Sequence, residues 1–155
     1  KVFDDGKNER ARAHMLKASY MAGVAFTISY VGYVHAVAHS LGGKYNTPHG
    51  LANAVILPYM LSEYGSTIHK KLKQIAVYCG IARPYESDQI AASKFINKIL
   101  DMNEHFGIPK RFDFINPDDI AELAKHASAE GNPLYPVPKL MSAKELEKIY
   151  YLISK

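Results

Sequence analysis

Three histidines, His35, His39 and His49, fall inside fifteen residues of the most apolar part of the chain. His35 and His39 stand four apart, so on a helix both imidazoles project from one face. His49 follows across a short turn that can fold back beside them. Convergent neutral imidazoles in an apolar setting are ligands for a transition metal. Three of them could hold Zn²⁺ with water in the fourth position, whereas Fe²⁺ sites usually include a carboxylate. No Asp or Glu lies between Glu9 and Glu63. The spacing therefore leaves two alternatives, an all-histidine site or a ligand brought from elsewhere. His14, His69, His105 and His126 lie in charged or amphipathic surroundings and read as surface residues.

Helices must position these side chains, because the apolar periodicity is helical almost throughout. Ala11, Met15, Ala18, Ala22 and Ala25 give residues 8–29 a slim apolar face whose small side chains would let a neighbouring helix approach. A second helix is predicted from Val31 to Leu41, stopped by Gly42-Gly43. Thr47 is the expected N-cap, and Pro48 the first residue, of a helix reaching Tyr64, with Pro58 kinking it. Ser66 should cap a helix that buries Ile68, Leu72, Ile75, Ala76 and Cys79 and ends at Gly80. The helix from Ser87 to His105 should bury Ile90, Phe95, Ile99 and Met102. Asn116-Pro117-Asp118-Asp119 starts another. Ser142 and Glu145 form a capping box for the last helix, which buries Leu146, Ile149 and Ile153. Gly131 to Pro138 reads as an extended connection. No stretch shows the period-2 alternation of a strand, so the fold expected is all-α, with about seven helices.

Composition narrows the classes. With 155 residues, 48% hydrophobic and 22% charged, the chain suits one globular domain rather than a disordered tail. Its net charge of +4 is small and dispersed, which excludes nucleic acid as the expected partner. The one cysteine, Cys79, cannot pair within the chain, so nothing points to an oxidising compartment, and the cytoplasm is expected. The run from Ala18 to Leu41 carries no Lys, Arg, Asp or Glu. Its serines, threonine, glycines and histidines make it a poor lipid-facing segment, so it is expected to be buried core rather than membrane. The chain opens on Lys1-Val2-Phe3-Asp4 with no signal-peptide pattern, as if entered in the middle of a longer protein.

The run Gly32-Tyr33-Val34-His35-Ala36-Val37-Ala38-His39-Ser40-Leu41-Gly42-Gly43-Lys44-Tyr45-Asn46-Thr47-Pro48-His49-Gly50-Leu51-Ala52-Asn53-Ala54, followed by Leu57-Pro58, resembles the signature of the iron-containing (group III) alcohol dehydrogenases. It follows G-x-x-H-A-x-A-H-x-L-G-G-x-Y-x-x-P-H-G-x-x-N-A position by position. The remainder, with Asn132-Pro133 and a closing helix, is similar to that family's all-helical, dehydroquinate synthase-like C-terminal domain. The resemblance implies that His35 and His49 are two ligands of a catalytic divalent metal, Fe²⁺ before Zn²⁺. It implies that His39 lines the cleft near nicotinamide and substrate and assists proton transfer.

The family's other two ligands come from an Asp-x-x-x-His pair on an earlier helix. Here Asp4 and Asp5 have Asn8 and Glu9 four residues on, so that pair is not expected in this chain. Nothing resembles G-x-G-x-x-G after a strand either. Residues 1–155 are therefore expected to be the C-terminal metal-binding domain of an enzyme whose α/β nucleotide-binding domain lies outside them. The implied reaction is NAD(P)-linked interconversion of a small alcohol with an aldehyde or ketone. The implied full-length enzyme is a homo-oligomer that touches no membrane, and the 155 residues alone are expected to be inactive. The alternatives are an isolated non-catalytic helical module and a glycerol dehydrogenase-like or dehydroquinate synthase-like relative. Asn53 either supports the site or bonds within its helix.

Overall fold

Helix ends form where side chains or turns satisfy the backbone groups that the ladder leaves over. The computed structural model describes every residue from Lys1 to Lys155. It contains seven α-helices, two short 3₁₀ turns and, outside them, one isolated parallel bridge between Phe112 and Ser154. The all-α expectation is met.

Lys1–Val31 and Gly32–Lys155 are separate compact units. In the first, α1 (Glu9–Ser29) begins where Asn8 accepts the Ala11 N–H. None of its residues is buried, and Leu16 and Ile28 are 74% and 76% exposed. The first half of the run from Ala18 to Leu41 is thus not core, contrary to the sequence expectation. Met15, Leu16, Tyr20, Met21, Val24 and Phe26 are distributed round the helix, and a lone helix has no second element in its own unit to cover them. No single helix is long and apolar enough to cross a membrane.

The second unit holds α2 (Tyr33–Tyr45), α3 (His49–Tyr64), α4 (His69–Tyr78), α5 (Asp88–His105), α6 (Ile120–Gly131) and α7 (Ala143–Ile153). Helix α2 packs on α3 and α6, α7 packs on α3 and α6, and α4 pairs with α5. Tyr33, Ala36, Val37 and Leu41 of α2 meet Ala52, Ile56 and Met60 of α3 and Leu146, Ile149 and Ile153 of α7 in one core. The capping box at Ser142 and Glu145 is present.

Several boundaries depart from the expectation. Helix α2 runs through Gly42-Gly43 to Tyr45 and ends at Asn46, which takes the left-handed conformation with its N–H on the Gly42 carbonyl. Two glycines in a helix cost roughly 1 kcal/mol each. The last turn is held regardless, with Lys44 paired to Asp119 and Glu122 and the Tyr45 hydroxyl donating to Asp119 at 2.6 Å. Thr47 does not cap α3. It is buried and donates its hydroxyl back to the Leu41 carbonyl, while Pro48 occupies the N-cap position. Ser66 lies in the 3₁₀ turn Gly65–Thr67, and Ile68 precedes α4. Cys79 is exposed and Ile75 is 45% exposed, whereas Leu72 and Ala76 are buried. On α5 the buried residues are Ala91 and Ala92, with Ile90 and Met102 about half out, because α4 lies against the small side chains.

Pro58 sits inside α3 and has no N–H for the Ala54 carbonyl. Asn103 of α5 supplies the missing donor, its Nδ2 lying 2.7 Å from that oxygen. At the end of α6, Gly131 lies under the Tyr33 ring, where a Cβ would meet Cε1 at 2.6 Å and Cδ1 at 2.8 Å. The ring is fully buried and its hydroxyl is held by Asn132 and Met141, so it cannot step aside. Gly131→Ala should therefore lower the unfolding free energy by about 1–3 kcal/mol. A urea-unfolding midpoint equal to the wild type would show that the ring can move after all.

Candidate active site

The turn between α2 and α3 decides where the histidines meet. Asn46 ends α2 in the left-handed conformation, Thr47 ties back to Leu41, and α3 starts at His49 itself. His35 and His39, one turn apart on α2, therefore stand beside the first residue of α3. Ring centroids lie 5.3 Å apart for His35 and His49, 5.3 Å for His39 and His49, and 5.9 Å for His35 and His39. The sequence expectation that all three converge is met in position. His35 is half-buried; His39 and His49 are exposed. Burial, followed by repulsion from His49 and His39, lowers the His35 pKa below its ordinary value of 6.5, with Glu130 acting in the opposite sense. A neutral ring keeps a lone pair for a ligand.

Donor chemistry and spacing fit a shared cation at His35 and His49. Two imidazoles bound to one tetrahedral ion at ordinary metal–nitrogen lengths have centroids about 5 Å apart. The His35–His49 pair, tilted by 50°, is close to that. His39 is stacked on His49 at 22°, so these rings face each other rather than a common ion. No three His, Cys, Asp or Glu side chains are grouped to hold a metal by themselves.

Asn53 bonds within its own helix and also reaches the His49 ring. Its Nδ2 donates to the His49 carbonyl at 2.9 Å and lies 3.0 Å from His49 Nε2. Asn53 Oδ1 is buried without a hydrogen-bond partner, an orphaned polar atom beside one of the two rings that suit an ion.

Sequence reasoning missed the partners contributed by α6. Glu130 Oε1 lies 2.7 Å from His39 Nδ1 and accepts the Tyr135 hydroxyl at 2.7 Å. A cleft of about 390 Å³ opens there, lined by His39, Lys44, Glu122, His126 and Glu130. His126, read as a plain surface residue, is exposed as expected but borders this cleft, while His69 and His105 lie on α4 and α5. Glu130 is 91 positions from His39, so no local spacing could reveal it. Its one sequence signal was its place immediately before the Gly131-Asn132-Pro133 connection.

Comparison with known proteins places this geometry. A model of the C-terminal part of the Fe-containing alcohol dehydrogenase family matches residues 1–153. The chain is 36% identical over 130 residues to alcohol dehydrogenase 4 of Saccharomyces cerevisiae, which covers 81% of the chain and 32% of the yeast protein. It is 36% identical over 147 residues to 1,3-propanediol dehydrogenase of Citrobacter freundii, covering 94% of the chain and 38% of that protein. Among solved structures, a 1,3-propanediol oxidoreductase superposes with a TM-score of 0.88 at 35% identity, over 94% of this chain and 38% of the other. An alcohol dehydrogenase from Oenococcus oeni gives 0.88 at 31% identity, over 96% and 39%. The chain thus spans between about a third and two-fifths of the length of these relatives.

Three tyrosines make the alkaline behaviour of the chain testable. The hydrogen bond to Glu130, helped by burial, pushes the Tyr135 hydroxyl up to about 12. Burial pushes Tyr64 up to about 12 and Tyr150 higher still. An unfolded tyrosine ionises near 10. The raised values therefore contribute stability that is complete below about pH 10 and lost as pH rises through 12. Absorbance titration of the native chain should leave Tyr64, Tyr135 and Tyr150 un-ionised at about pH 11. Tyr135→Phe should remove one of the three; loss of an early-titrating phenol instead would contradict the Glu130 contact.

Proposed function

Since the chain belongs to the Fe-containing alcohol dehydrogenase family, we propose that it is the metal-binding helical part of an enzyme that interconverts a small alcohol with its aldehyde or ketone, using NAD or NADP. The observation that carries this reading is the gathering of His35, His39 and His49 where α2 turns into α3, two of them at a spacing that suits one cation. His35 and His49 are its proposed ligands, with Fe²⁺ the first candidate and Zn²⁺ the second. When bound, such a cation makes an alcohol O–H more acidic and stabilises charge on the oxygen during hydride transfer.

The chain's own side chains prepare that chemistry. Burial lowers the His35 pKa, which favours the uncharged ring whose lone pair a cation needs. The Asn53 amide nitrogen lies beside the His49 ring at Nε2 and donates to the His49 carbonyl, holding the ring next to its own helix turn. His39, exposed beside the cleft, accepts the hydroxyl proton and returns it in the reverse direction. The remaining metal ligands, and most of the nucleotide contacts, are assigned to the part of the enzyme outside these residues. Two imidazoles bind a cation weakly, so the 155 residues alone are assigned no turnover. The full-length enzyme is read as a cytoplasmic homo-oligomer with no membrane or nucleic-acid partner.

The test is His49→Ala in the full-length protein, assayed by alcohol-dependent NAD(P) reduction with added Fe²⁺ or Zn²⁺. Ligand loss should reduce turnover by more than about 100-fold, beyond the effect typical of groups that merely support a ligand. Circular dichroism melting should be unchanged, since His49 is exposed. Wild-type turnover in this variant would remove His49 from the site. Turnover by the 155-residue chain alone would overturn the proposed division of labour.

A further inference from the structure

Each neutral imidazole has two tautomers, and a histidine that moves protons works only if the correct nitrogen is bare. His39 Nδ1 faces Glu130 Oε1 at 2.7 Å. An ionised carboxylate can only accept, so the hydrogen of that bond sits on Nδ1. In the neutral ring Nε2 is then the single accepting nitrogen. The Tyr135 hydroxyl donates to the same Oε1 at 2.7 Å, giving the carboxylate a second donor and restraining its rotation.

The backbone beneath Glu130 is fixed to the helix that carries His39. Gly131, the next residue, lies in contact with the Tyr33 ring, which sits six positions before His39 on α2. Asn132 donates its Nδ2 to the Met141 carbonyl at 3.0 Å and to Ser128 Oγ at 3.2 Å, and its Oδ1 accepts the Tyr33 hydroxyl. Glu130 thus approaches His39 from a rigid helix end rather than from a free surface chain. The pair is only partly shielded, with side chains 43% and 33% exposed, so its value lies in orientation more than in stability.

We propose that Glu130 is a positioning residue for His39: its carboxylate fixes the Nδ1–H tautomer and the ring orientation, leaving Nε2 as the proton acceptor. Tyr135 steadies the carboxylate. Catalytic relevance rests on the reading of His39 as the proton-transferring residue, but the tautomer itself does not.

Long-range ¹H–¹⁵N spectra of the chain at pH 8 test the tautomer directly. His39 should show a protonated Nδ1 and a bare Nε2. Glu130→Gln, whose amide oxygen still accepts, should keep that pattern. Glu130→Ala should lose it, with the far-ultraviolet spectrum of either variant unchanged. A bare Nδ1 in the wild type, or a pattern indifferent to Glu130→Ala, would overturn the proposal. In the full-length enzyme, Glu130→Ala should lower kcat about tenfold or more while KM for the alcohol and the metal content stay within about twofold. Altered metal content or KM with kcat retained would instead mark Glu130 as structural. A changed tautomer with unchanged kcat would leave the positioning intact and remove the proton role of His39.

Discussion

The packing of Tyr33 against Gly131 is the contact on which the rest of the second unit depends. A ring this size fits between α2 and α6 only because Gly131 has no side chain. Once there, the ring excludes water completely, and its hydroxyl needs partners in the interior. Asn132 and the Met141 backbone N–H provide them. The segment from the end of α6 to the start of α7 is therefore anchored to α2 by Tyr33. His39 and Glu130, on either side of the same junction, inherit their separation from it.

The site is asymmetric in its electrostatics. Burial and the two neighbouring rings lower the His35 pKa, which favours its uncharged form. His39 is exposed and carboxylate-linked, which suits a group that gains and loses a proton. His49 is exposed too, but an amide rather than an acid faces its Nε2. Three identical side chains thus occupy three different environments, set by one helix face, one turn and one residue from α6.

Much of this was legible in the sequence, for definite reasons. The four-residue interval of His35 and His39 and the capping box at Ser142 are local patterns, and local patterns survive folding. The family signature added the distinction between His35 and His49 on one side and His39 on the other. What escaped was decided at a distance. Gly42-Gly43 read as a stop, but Lys44 and Tyr45 are held by residues more than seventy positions away. Ile90 and Met102 read as core because they are large, whereas the contact favours Ala91 and Ala92. The burial expected of the whole charge-free run failed at α1, since hydrophobicity specifies a need for cover but not what supplies it. Glu130 was invisible because nothing local marks a partner 91 residues away.

Pro58 has a consequence for the histidine-bearing end of its own helix. A residue that cannot donate leaves the Ala54 carbonyl to be satisfied from outside, and Asn103 does so from α5. An ordinary helical rung is indifferent to axial sliding, because both its partners move together. This bond is not, because its two ends belong to different helices. Shifting α3 along its axis by even a fraction of an ångström would stretch it and uncover a buried acceptor. The proline thus acts as a registration pin, fixing how far His49 protrudes at the helix start, nine residues upstream. That placement is set by an absence, the hydrogen that proline does not have.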